Sequence, residues 1–233
     1  MNERFLDLSP RLEETRDRQV PQTIKFELDE IKNHFDEDLF AIRSMSNVYQ
    51  QLDEEQNETS SELILRSQVI LLESAFDFYL HELTKFGVNK MFEKSWEPTE
   101  KYKRIILRLE LVEKIINDEV DENWFLEYIS QYYSKDTMVS FKTLSGQISL
   151  LGMDIQEIAD RAFCEVNSSE KTIVQMKKAI GELYMRRNII AHQSNRGHED
   201  AMHYQISESQ VNEFIENIEK VVNAMHDVAN EHD

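Results

Sequence analysis

The chain has 233 residues and a mass of 27.6 kDa, enough to bury a substantial core in one ordinary domain or two small ones. With only 5 Gly and 3 Pro it lacks the turn punctuation that an all-β sandwich or barrel requires, so the predicted class is all-α. A balance of 26 Lys+Arg against 45 Asp+Glu, net -19, excludes broad coating of nucleic acid and docking on an anionic membrane; any phosphate contact must come from a local basic island.

Cys164 is the only cysteine, so no disulfide forms within the chain, which suits a reducing compartment. No apolar run approaches the ~18 residues of a membrane span, and the opening Met1-Asn2-Glu3-Arg4 begins no signal peptide. The expectation is a soluble, cytoplasmic protein with no membrane partner.

Residues 1–21 are polar, contain Pro10 and Pro21, and read as an arm; residues 22–230 read as one helical domain. From Thr23 the spacing of Ile24, Leu28, Ile31, Phe35, Leu39, Ile42 and Met45 predicts a first helix, ended by the run Asp53-Glu54-Glu55-Gln56-Asn57. Thr59 with Glu62 resembles a capping box opening a second helix, whose stripe is Leu65, Val69, Leu72, Phe76, Leu80 and Leu83 and whose end lies near Gly87. Pro98 suits a first helical turn, followed by Ile105, Leu109, Val112 and Ile116. Asp121 is placed as the cap of a short helix through Trp124, Tyr128 and Tyr132. Residues 137–164 predict two short helices broken near Gly152. Ser168 or Ser169 opens a long helix with Ile173, Met176, Ile180 and Leu183 on one side. Ser207 with Gln210 opens the last helix, through Val211, Phe214, Ile218, Val221 and Met225.

One segment stands apart: Tyr184-Met185-Arg186-Arg187-Asn188-Ile189-Ile190-Ala191-His192-Gln193. Between Glu170 and Asp200 there are six basic residues (Lys171, Lys177, Lys178, Arg186, Arg187, Arg196) against four acidic ones, a locally positive window. At about 100° per residue Arg187 continues the apolar stripe ending at Leu183. A guanidinium facing a core needs a partner. Asn188 and His192 share a face, so Arg187 and His192 flank one helix end within reach of a common ligand. Capping of the helix carbonyls by Arg and His is the structural alternative.

Arg187-Asn188-Ile189-Ile190-Ala191-His192 resembles the signature of the HEPN superfamily, in which an Arg, a polar residue, a short spacer and a His close a helical hairpin. Val69-Ile70-Leu71-Leu72-Glu73-Ser74-Ala75-Phe76-Asp77-Phe78-Tyr79-Leu80 resembles a second HEPN stretch, most familiar in the RiboL-PSP branch. The similarity spans about residues 59–230 and implies an HEPN-like helical bundle with long antiparallel helices and shorter inserted ones. HEPN toxins paired with nucleotidyltransferase antitoxins carry a Tyr two residues past the His, where this chain has Ser194, which argues against regulation by tyrosine AMPylation.

The resemblance implies a metal-independent endoribonuclease, without cofactor, leaving 2′,3′-cyclic phosphate ends. It also implies a prokaryotic toxin or antiviral role, with RNA as substrate, a homodimeric cleft, and an antitoxin or defence-system protein as partner. Double-stranded DNA is not expected to bind. Arg187 and His192 are then catalytic, suited to phosphate stabilisation and proton transfer. Asn188 orients His192 or contacts RNA, and Arg186 belongs to the RNA-binding island. Asp77 either pairs with Arg187 or is a surface carboxylate beside His81. The rival is a catalytically silent HEPN module that dimerises and binds a protein or nucleotide. Other chemistry has little support. His192, His198 and His203 fit no zinc spacing, and Cys164 lies in no nucleophile motif. No Gly-rich phosphate loop exists, and Glu110 and Glu113 lack the di-iron pattern.

Overall fold

In a computed structural model, residues 23–164, 170–193, 195 and 203–232 are described. They form eight α-helices and no extended strand, in agreement with the all-α expectation. No described helix is long and apolar enough to cross a membrane. The polar arm, residues 1–21, lies outside the described residues.

Helix α1 (Leu28–Glu54) buries the expected stripe of Leu28, Ile31, Phe35, Leu39 and Ile42. Its first turn is closed by Glu30, whose carboxylate accepts from Glu27 N at 2.8 Å. Ile24 precedes the helix and is exposed. The chain reverses at Gln56, which takes a positive φ of 57°, and returns as α2 (Glu58–Phe92). The cap of α2 is not the Thr59–Glu62 box. Asn57 accepts from Ser60 N at 3.3 Å, because the reversal at Gln56 delivers Asn57 to the cap position. Glu62 pairs instead with Arg66 one turn on.

Helix α2 also runs beyond its expected end at Gly87, to Phe92. Gly87 is there for proximity. A Cβ at this position would lie 2.6 Å from both Leu151 Cδ2 and Trp96 Cζ3. From Tyr79 to Met91 nearly every face of α2 is covered, as expected of a helix at the centre of a bundle. It touches α1, α4 (Trp124–Tyr133), α5 (Phe141–Leu150), α7 (Thr172–Gln193) and α8 (Glu208–His232).

Pro98 does not begin an α-helix. Thr99 Oγ1 donates to Leu150 O at 2.8 Å and accepts from Tyr102 N at 3.1 Å, tying the segment to α5 and forcing a 3-10 turn at Tyr102–Arg104. Helix α3 (Leu109–Ile116) follows, with no buried residue. Asp121 accepts from Asn123 N at 2.8 Å just ahead of α4, so it shapes the turn while Asn123 occupies the cap. Between α5 and α6 (Ile155–Ala162) the break falls at Gly152, with φ of 77°. The expected start of α7 at Ser168 or Ser169 lies outside the described residues. Ser207 Oγ accepts from Gln210 N at 3.3 Å and caps α8 as expected. One apolar cluster then runs from Leu28 to Ala229.

Candidate active site

The site arises where α7 crosses α2. On α7 the buried side chains Met176, Ile180 and Leu183 lead, one turn later, to Arg187. On α2 the stripe Val69, Leu72, Phe76 and Leu80 contains Glu73 in line with it, four residues after Val69 and three before Phe76. Packing these two faces brings opposite charges together. Glu73 Oε2 lies 3.3 Å from Arg187 Nε, with the Glu73 side chain 4% exposed and that of Arg187 30% exposed.

The pair is asymmetric. Burial pushes the Glu73 carboxyl above the usual glutamate range; Arg187 opposes that rise and Asp77, one turn on, adds to it. Glu73 Oε1 is shielded and accepts no hydrogen bond from a described residue. The outer edge of the guanidinium donates from Nη1 to Asn188 Oδ1 at 3.2 Å. Arg187 is thus held from within by a buried carboxylate and from the side by an amide, with its rim still reaching solvent. His192, on the last turn of the same helix, is exposed and makes no hydrogen bond to a described residue.

Asn195, three residues beyond His192, is tightly held. Asn195 is 1% exposed and takes a positive φ of 58°, a conformation asparagine tolerates. Its N–H donates to Ile189 O at 3.1 Å, its carbonyl accepts from Tyr204 N at 2.9 Å, and its Nδ2 donates to Tyr204 O at 2.7 Å. This closes the exposed end of α7 by backbone geometry rather than by Arg187 or His192.

Of the expected supporting residues, Arg186 is placed elsewhere and Asp77 takes the alternative place beside His81. Arg186, read as part of the RNA-binding island, is only 8% exposed. Its Nη2 donates to Gln205 O at 2.8 Å and Tyr204 O at 3.5 Å, and burial lowers its pKa, with Arg66 acting in the same direction. It ties α7 to the segment leading into α8 and presents no free fork to a phosphate. Asp77 is not the partner of Arg187. Its Oδ1 accepts from Met138 N at 2.8 Å and its Oδ2 lies 3.7 Å from His81 Nε2, so it anchors the segment after α4. Asp77 and Glu73 share a face of α2 one turn apart, and the helix crossing sets Arg187 opposite Glu73.

Glu73 and Asn195 are the residues that sequence reasoning missed. A signal for Glu73 existed: a carboxylate at a core-facing position of α2 matches a guanidinium at a core-facing position of α7. Among the described residues no three of His, Cys, Asp and Glu gather as a metal set; His198 lies outside them.

The model of the RiboL-PSP-HEPN family matches residues 23–231. The chain belongs to this family. No curated protein and no solved structure matches it. HEPN membership supports an RNase-type or nucleotide-related role. It also extends the resemblance: the match takes in α1 as well as the region from about residue 59 onward. In this HEPN chain the Arg-Asn-x-x-Ala-His string occupies the final two turns of α7, with Arg187 anchored inward and His192 outward.

Proposed function

We propose that this HEPN protein is a metal-independent endoribonuclease working as a two-fold dimer, in a prokaryotic toxin or antiviral defence system of the cytoplasm. The observation that carries the reading is the arrangement on α7: Arg187 held half-buried by Glu73 and Asn188, and His192 exposed beyond it. A buried anchor fixes a guanidinium without consuming its whole fork, which suits it to a scissile phosphate. The exposed imidazole of His192 is accessible to a substrate for proton transfer.

In the proposed reaction one His192 takes the proton of a ribose 2′-hydroxyl, whose oxygen attacks the adjacent phosphorus. The phosphorus bond to the leaving 5′-oxygen breaks, and the partner subunit's His192 returns a proton to that oxygen. A 2′,3′-cyclic phosphate and a 5′-hydroxyl result. Arg187 stabilises the charge that grows on the phosphoryl oxygens. One Arg and one His supply half of this machinery, which is why the proposal needs two copies. An antitoxin or defence-system protein would restrain such an enzyme.

The test is cleavage of RNA by purified wild type, Arg187→Ala and His192→Ala in excess chelator, with the ends analysed. The expected result is cyclic phosphate ends from wild type and a loss of about a hundredfold or more in either variant, the usual range for one acid–base group. Cleavage that stops with chelator and returns with magnesium overturns metal independence. A second reading, a silent module that binds a protein or nucleotide, is favoured by one observation: Glu73 already neutralises Arg187. Wild type that cuts no RNA, alone or with the variants, selects it.

A further inference from the structure

Away from the α2–α7 crossing lies an open pocket of about 600 Å³, between the 3-10 turn, the end of α4 and α5. Its electrostatics reverse those of the molecule. In a chain of net -19, three cations line it, Lys101, Arg104 and Lys135, against one carboxylate, Asp136. Several cations elsewhere pair closely with carboxylates, as in Lys25–Glu93, Lys32–Asp36, Arg43–Glu219 and Arg161–Glu231, and none of the other unpaired ones lines this concavity. No described carboxylate lies in salt-bridge range of Lys101, Arg104 or Lys135; Lys101 Nζ donates weakly to Gly146 O at 3.3 Å. Three like charges left unpaired around one concavity repel one another, and an anion placed between them removes that cost.

The pocket also carries features for more than an anion. Tyr132 lines it, is 44% exposed, and stands on the edge of buried Tyr133 with ring centroids 4.9 Å apart. That contact fixes the ring while leaving surface on which a flat base can stack. Gln147, on the facing turn of α5, completes the wall of the pocket.

We propose that this pocket binds a nucleotide unit, with its phosphate on Lys101, Arg104 and Lys135 and its base against Tyr132. The shared chemistry has two sources, a free nucleotide or the phosphorylated end of a single strand. The site is separate from Arg187 and His192 and stands whether or not those residues cleave RNA.

The test is isothermal titration of the full His192→Ala chain, which leaves any RNA ligand uncut, with AMP, adenosine, inorganic phosphate and a 5′-phosphorylated tetra-adenylate. AMP is expected to bind about tenfold or more tighter than adenosine or phosphate, since each of these offers half the contacts. Lys101→Ala with Arg104→Ala, and separately Tyr132→Leu, should each weaken AMP about tenfold or more. All three side chains are exposed, so the variants should keep the parent's circular dichroism and thermal midpoint. Arg187→Ala should leave AMP binding unchanged. Equal affinity for AMP and tetra-adenylate assigns a free nucleotide; a tetra-adenylate that binds about tenfold tighter assigns a strand end. No binding of either ligand overturns the proposal. So does phosphate binding as tightly as AMP, or binding lost in Arg187→Ala and kept in the Lys101, Arg104 variant.

Discussion

Glu73 shows how one residue sets the terms for the site. Burial raises its folded pKa, so in the folded chain it holds its proton to higher pH than in the unfolded chain. Its contribution to stability is fully present below the ordinary value of 4.5 and is lost as pH rises through the raised value. Set 3.3 Å from the guanidinium, it contributes orientation of Arg187 more than stability. Glu73→Gln should therefore change unfolding free energy by no more than about 1 kcal/mol at pH 7, since Arg187 keeps access to water. In the same variant the stability loss attributable to Glu73 above pH 4.5 should disappear from urea titrations run across pH. RNA cleavage, by contrast, should fall about tenfold or more, because a guanidinium without its inner anchor samples other positions. A large drop in stability with unchanged cleavage would make Glu73 a structural residue only.

Among the elements, α2 organises the molecule, and two of its contacts can be tested. Gly87 admits Trp96 and Leu151 against the helix backbone. Gly87→Ala gains helix propensity but inserts a methyl 2.6 Å from two core atoms. The clash should win, with a net loss of about 1–3 kcal/mol in urea unfolding. The second contact joins α7 to the approach of α8 through Arg186. Arg186→Ala strips two backbone carbonyls of a charged donor and should cost about 1–3 kcal/mol. It should leave the salt dependence of RNA binding unchanged, since the side chain faces Tyr204 and Gln205 and not a ligand. A shallower salt slope in Arg186→Ala would return this residue to the phosphate-binding set. Surface ion pairs add to the apolar packing between elements, such as the two-pronged Arg43–Glu219 bridge of α1 to α8 at 2.9 and 2.6 Å. Hydrogen bonding to Arg43 lowers the Glu219 pKa, so this stability is present above the ordinary glutamate value and is lost as pH falls through the lowered one.

At the scale of the whole molecule, net charge and the single Arg-His set point to the same assembly. One chain of net -19 repels RNA over most of its surface and carries one copy of Arg187 and His192. In the proposed dimer, two chains meeting through α7 and α8 would merge their basic segments into one cleft with acidic walls. Light scattering should report a dimer. RNA binding should show a small salt slope, that of a few phosphate contacts. Mixing Arg187→Ala with His192→Ala chains should not restore activity, because each composite cleft lacks one copy of each residue. A monomer that cuts at full rate contradicts the shared cleft.

How much of this was legible beforehand follows from the range of the forces involved. Helix identity and facing are local. Leu28 to Ile42 on α1, Leu65 to Leu83 on α2 and Val211 to Met225 on α8 repeat at threes and fours, and each stripe is buried as its period requires. The Arg-Asn-x-x-Ala-His string was legible for the same reason, being contiguous on one helix, and with it the family. Helix ends were less so: Asn57 replaced Thr59 as a cap because the reversal at Gln56 chose the position, and Gly87 continued a helix because Trp96 needed its space. Which carboxylate met Arg187 was beyond any local pattern. Glu73 and Asp77 are both carboxylates one turn apart on α2, and the core-facing position of Glu73 was a signal only once a partner helix was in view. Only the crossing of α7 over α2 set Arg187 at 3.3 Å from Glu73 and left Asp77 to Met138 and His81. Likewise only packing turned Arg186 inward and gathered Lys101, Arg104 and Lys135 around one pocket. Sequence determines what the long helices bury, while α3 buries none of its apolar residues; which charges then meet depends on how the helices cross.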